Sequence, residues 1–179
     1  GQHVLQQTIM IDGLAITVLC VLAACSYGII HDQITARVCI EYFTIGHPQI
    51  LKMPTASPTL LGLVWGIIAT WWVGFGLGIP LAIAARFGSR PKKAARDVVI
   101  PLLVLLAVAA ALAAIAGVIG YLMATAGWIQ LYGSLAARVP ADKHSAFIAD
   151  LFAHNVSYLV GAVGGVAVIV RTWRSRQRP

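Results

Sequence analysis

Charge is scarce in this sequence. Asp, Glu, Lys and Arg make up 11% of the 179 residues, against 59% hydrophobic side chains, and the mean hydropathy is +0.84. So few polar groups cannot cover a water-soluble globule of this size, which excludes that class and places the chain in a bilayer. Cysteine is sparse too: three thiols make no disulfide framework, and Cys20 and Cys25, five apart, fall on different faces of a helix. There is no CxxC, no HExxH and no ExxH pair on two helices, so the common redox, zinc-protease and di-iron signatures are missing. Residues 1–12 contain no Lys or Arg, which a cleavable signal would carry. Although Leu22, Ala23, Ala24 and Cys25 resemble a lipoprotein-processing box, the first apolar stretch is therefore read as a retained helix. No internal repeat or inverted duplication of the transporter kind is visible.

What the sequence has in quantity is long apolar runs. A spanning helix needs ~20 mostly apolar residues, and Gly13–Ile30, Pro58–Ala85, Val98–Gly127 and Leu151–Val170 approach or exceed that. The expectation is an all-α bundle of four transmembrane helices in one integral membrane domain, residues 1–179. The helices are placed at about 10–31, 58–86, 98–127 and 145–171, with a long outer loop between the first two.

The net charge of +7 follows this topology rather than a nucleic-acid-binding face, so no nucleic-acid partner is expected. Arg86, Arg90, Lys92, Lys93 and Arg96 lie between helices two and three, and Arg171, Arg174, Arg176 and Arg178 follow helix four. Only Arg37, Lys52, Arg138 and Lys143 occupy the other two connections. The positive-inside rule then puts both termini in the cytoplasm.

Details of the spans follow from small residues and breakers. Ser57 and Pro58 suit a cap and first turn. Gly62, Gly66, Gly74, Gly76 and Gly78 permit close helix approach, and Pro80 predicts a kink. Trp71 and Trp72 read as packing residues. The third span, opened by Asp97 and Pro101 and rich in Ala and Gly, reads as the central packing partner.

Against this apolar background, "HDQITARVCIEYFTIGHP" from His31 to Pro48 gathers two His, an Asp, a Glu, a Cys and a Tyr. Helix one is expected to end near His31, and Val38–Phe43 suits a short strand or a helix equally. In helix four, Asp150, His154 and Tyr158 recur every four residues and share one face. His154 lies about 6 Å inside the apolar segment at 1.5 Å per residue, where an ionisable group is costly without a partner and marks a candidate site. Imidazole plus carboxylate suits zinc, iron, manganese or copper. We therefore take His31, Asp32, His47 and His154 as candidate ligands of a divalent transition metal, with Glu41, Asp150 and Tyr158 as candidate catalytic groups. The competing reading is that these imidazoles hydrogen-bond locally and merely close the bundle. Cys39, close in sequence to His31 and His47, is weighed as a nucleophile against the commoner buried, inert thiol.

The segments His31–Pro48 and "HSAFIADLFAHNVSYLVG" resemble a group of small bacterial four-helix membrane proteins that carry an HDQxTARxCxEYFTxGHP-like pattern. The resemblance implies a multi-pass protein of the bacterial inner membrane and brings no activity with it. The leading expectation is a membrane metalloprotein, extending to a metalloenzyme, with its site at the periplasmic interface. Alternatives are an accessory subunit bound to a membrane-protein partner, a homo-oligomer, or an ion or proton carrier. The last is weakened because helices two and three offer no charged residue to continue a path inward.

Overall fold

In the computed structural model, residues 2–48 and 57–176 are described, with side chains from Ile11 onward. The elements are α1 (Gln2–Val38), a π-helical turn (Tyr42–Gly46), α2 (Pro58–Ile68), α3 (Trp71–Arg86), α4 (Ala95–Thr125), a short α5 (Gly133–Arg138), a 3-10 turn (Ala141–Lys143) and α6 (His144–Ser175). No strand occurs among the described residues. Four segments are long and apolar enough to cross a membrane: Ile11–Val38, Pro58–Arg86, Ala95–Thr125 and Ala141–Ser175. The protein is thus an all-α, multi-pass membrane bundle.

The first helix does not stop at His31. It continues to Val38, because the polar stretch after His31 holds no Gly or Pro before Gly46. Its polar side chains find partners instead. Arg37 Nη1 donates to Gln33 O at 2.6 Å and to Gln33 Oε1 at 2.7 Å, and Nη2 donates to Thr59 Oγ1 at 2.8 Å. Arg37 thus ties the end of α1 to the start of α2 rather than pairing with Glu41. Much of the expected outer loop is therefore helical as far as Gly46, and residues 49–56 lie outside the described residues.

Ser57 caps α2 as expected, accepting the Leu60 N–H at 3.4 Å, with Pro58 in the first turn. The second span is interrupted at Ala69–Thr70, where Thr70 Oγ1 donates to Gly66 O at 2.5 Å. Hydroxyl back-bonding of this type competes with the helix ladder. The expected kink residue, Pro80, lies within the unbroken α3. Trp71 and Trp72 open α3 half exposed, facing outward rather than into the bundle.

Helices α1 and α2–α3 meet backbone to backbone. A Cβ on Gly66 would lie 2.5 Å from Ile29 N, and one on Gly28 would lie 2.3 Å from Gly66 O. In lipid, such small-residue contacts are what lets helices gain dispersion and close approach. Gly66→Val is expected to cost about 3 kcal/mol or more, the top of the usual overpacking range, since backbone cannot yield. Thermal unfolding in detergent checks this, with Gly76→Val as a control near wild type because a Cβ there meets nothing within 4 Å.

The central helix is α1, which packs on α2, α3, α4 and α6. The third span, α4, was expected there but lies at the flank. It packs mainly on α6, where Gly120 accommodates the Phe152 ring, and presents Ile100, Val104, Ile115, Val118 and Leu122 outward. Asp97 caps α4 from its first turn, accepting the Ala94 N–H at 2.7 Å.

At the end of the bundle where α6 terminates, Arg176 is 2% exposed and clamps the turn after α3. It donates from Nε to Pro91 O (2.7 Å), from Nη1 to Ala84 O (2.5 Å), and from Nη2 to Phe87 O (2.8 Å) and Arg90 O (3.2 Å). Beside it, Arg86 pairs with Asp12 at 2.9 Å.

Candidate metal centre

Because α1 continues past His31, it delivers two adjacent polar side chains, His31 and Asp32, to the bundle interior beside α6. The stripe on α6 supplies His154 one turn after Asp150. His154 Nδ1 lies 2.8 Å from Asp150 O, and Nε2 lies 3.2 Å from Asp32 Oδ1. Both Asp32 and His154 are buried, at 4% and 6% exposure. The His31 ring stands edge-on to that of His154, with centroids 4.6 Å apart, and stacks on Tyr27.

These contacts constrain the protons. A backbone carbonyl only accepts, so His154 Nδ1 must carry hydrogen. In a neutral imidazole, Nε2 then turns a lone pair toward the Asp32 carboxylate. Two electron-rich atoms at that distance repel unless a cation, a proton or a metal ion, lies between them. Donating the remote ring N–H to a carbonyl is also the usual arrangement of metal-bound histidine.

Distances fit an ion as well. Ligands at 2.0–2.1 Å from a tetrahedral centre lie about 3.3 Å apart, close to the observed 3.2 Å between His154 and Asp32. One ligand atom from each of His31, Asp32 and His154 lies within 4.8 Å of the others, so His31 needs to close by at most roughly 1.5 Å. Buried His31 Nε2 has no hydrogen-bond partner among the described residues, and neither has Asp150 Oδ2. Unsatisfied buried polar atoms are rare and call for an explanation.

The remaining sequence candidates are placed differently. His47 folds back toward the site but stays outside the three-residue group, its ring 6.4 Å from that of His154. Nδ1 is 2.9 Å from Tyr42 O, and the ring packs on Phe43 and Trp65. Burial pushes its pKa down, which keeps it a neutral wall residue. Glu41 accepts the Cys39 thiol at 3.4 Å and lines neither cavity next to the group. Cys39 is 1% exposed, and burial pushes its thiol up to about 12, so it is not a nucleophile at neutral pH. His144 Nε2 donates to Val139 O at 3.0 Å, closing the turn before α6. Tyr158 donates to Ala69 O at 3.2 Å, the carbonyl freed by the break between α2 and α3.

Three residues near the group were not singled out from sequence as site residues: Tyr27, Ser157 and Thr70. Tyr27 and Ser157 hydroxyls share a 2.5 Å hydrogen bond across α1 and α6. Tyr27 at i−4 from His31 and Ser157 at i+3 from His154 are the helical spacings that could have flagged them.

Side chains leave a cavity of about 110 Å³ against this group, lined by His31, Asp32 and His154 at one end. A wider groove of about 750 Å³ lies between α1 and α4 on the other side of His31, reaching Asp150. No family model, curated protein or solved structure matches the chain, so the reading of this site rests on its own chemistry.

Proposed function

We propose that this protein is a metalloenzyme of the bacterial inner membrane, with both termini cytoplasmic and its site near the periplasmic face. His31, Asp32 and His154 hold a divalent transition metal, with zinc, iron, manganese and copper all compatible with two imidazoles and a carboxylate. The observation that carries this reading is the 3.2 Å approach of His154 Nε2 to Asp32 Oδ1 while His154 Nδ1 is already committed to Asp150 O.

Three protein ligands leave a fourth position free for water or substrate, the pattern of catalytic rather than structural sites. A metal there would acidify bound water or polarise a substrate oxygen. Asp150, with one buried oxygen unpartnered among the described residues and one helical turn from His154, is the proton-transfer group in this reading. Tyr158 and Tyr27 border the cavity against the metal group, whereas Asp150 lines the groove on the other side of His31. Glu41, held by Cys39, is assigned no step. The carrier reading has no comparable support, because α4 after Asp97 and α3 before Arg86 contain no charged residue to extend a path from Asp32.

Elemental analysis of purified protein is the test. Wild type is expected to carry close to one transition-metal ion per chain, and the His31→Ala, His154→Ala double variant close to none. Equal metal in the two proteins would end the proposal.

A further inference from the structure

The metal group sits at one end of an elongated space, and the chemistry of its lining changes along its length. Near the group the walls carry Tyr27, Thr70, Ser157 and Tyr158; at the far end they are Cys20, Leu77, Leu81, Leu105, Val168 and Ile169. From Asp32 to Cys20 along α1 is about 18 Å at 1.5 Å per residue. The hydroxyls are bonded to one another or to backbone, so the walls are apolar and the His31–Asp32–His154 group is itself the polar end; such a space matches a molecule with one polar head and one apolar chain.

Access is lateral. The groove between α1 and α4 is bordered by exposed Ile30, Ile34, Leu103 and Val118, all within spanning segments, so its mouth faces hydrocarbon. Small side chains line it, with Ala113 buried and Ala110 and Ala114 exposed, and it reaches His31 and Asp150. Asp150 is 2% exposed and keeps Oδ2 without a partner among the described residues at this point. A buried carboxylate oxygen in an otherwise apolar groove is costly unless a polar group comes to meet it.

We propose that the substrate of this site is a single-chain amphipathic lipid. It enters from the bilayer between α1 and α4, places its polar head on the His31–Asp32–His154 group, and lays its hydrocarbon chain in the cavity toward Cys20 and Ile169. This inference rests on the metal-site reading above and adds the substrate class to it.

Gly161 provides the test, since it lines the cavity and a Cβ there meets nothing within 4 Å. A Cβ therefore has room, so Gly161→Leu narrows the cavity from this wall, and replacing Gly within a helix favours folding. The probes are dodecanohydroxamic acid and acetohydroxamic acid, which share one metal-chelating head and differ in chain. Binding is measured to zinc-loaded full-length protein in one detergent, beside zinc content. The long compound is expected to bind tighter to wild type. Gly161→Leu is expected to lose at least about tenfold of that affinity, the worth of about two buried methylenes, with zinc content and acetohydroxamate affinity unchanged. An unaltered affinity for the long compound overturns the inference and leaves the metal site standing. Equal weakening of both compounds also overturns it, because the substitution then acts on the head site. Wild-type protein that retains no zinc and binds neither compound overturns the metal reading, and this inference with it.

Discussion

His154→Ala is expected to weaken zinc binding by more than about 100-fold, beyond what loss of an outer hydrogen-bond partner usually costs. The imidazole bridges the two helices of the site: its Nδ1 is anchored to Asp150 O on α6, and its Nε2 faces Asp32 on α1. Removing it deletes a ligand and the element that holds the other two at ligand spacing. Asp32→Asn keeps the shape but removes the only carboxylate in the group, and a loss of similar size is expected. Asp150→Asn separates ligand from neighbour: its backbone carbonyl still accepts from His154, so zinc affinity should stay within a few fold of wild type. His47→Gln should also bind zinc nearly normally, because the ring packs on Phe43 and Trp65 outside the three-residue group. Competition against a chromophoric chelator measures all four. Zinc affinity for His154→Ala equal to that of wild type, in protein that elutes as a folded monodisperse species, would sink the site.

The transmembrane architecture is legible in the sequence because hydropathy is an additive, local property: about twenty apolar residues announce a span whatever packs beside them. The end of α1 is not. His31–Thr44 looks like a loop because its polarity rises, yet polarity marks the end of the apolar run and not of the helix. Whether a helix continues depends on where its polar side chains find partners, and the Arg37–Thr59 contact comes from residues 22 apart. The same misreading spread the candidate site too widely. In a loop, Glu41 and His47 could approach His31 freely. On a continued helix, Cys39 and Glu41 are carried beyond the group, and only a π-helical turn brings His47 back toward it. His31 and His154 were legible from shared depth and side, and Asp32 from adjacency to His31. The break at Ala69–Thr70 was not: "WGIIATWW" holds no proline, and the hydroxyl turned back onto Gly66 O has counterparts at Thr17 and Thr35 inside the unbroken α1. Nor was the flanking position of α4, because a face of Ala and Gly packs a helix and lines a groove equally well.

Charge that served only to orient the chain in the sequence also turns out to hold its far end together. Arg176→Met is expected to destabilise the protein by about 3 kcal/mol or more, in line with removing one partner from a buried charged network. The methionine preserves most of the aliphatic volume and adds no charge, so the effect isolates the guanidinium. Four carbonyls, those of Ala84, Phe87, Arg90 and Pro91, lose their donor together. A buried acceptor left unmet costs about 1–3 kcal/mol; the bond to Ala84 O is the buried one, and the three part-buried carbonyls rehydrate more readily. For a chain of this size the loss corresponds to a fall of about 6–12 °C in Tm. Arg176→Lys keeps the charge, but a compact ammonium cannot span the same acceptors as a planar fork with five N–H groups. It should recover only part of the loss. If positive charge at that end were all that mattered, Arg176→Lys would behave as wild type and Arg176→Met would differ little, because Arg171 and Arg174 remain on the same helix end. Unfolding followed by tryptophan fluorescence, with limited proteolysis of the 87–94 turn, separates the two: a clamp predicts early cleavage there in Arg176→Met, and orientation by charge alone predicts none.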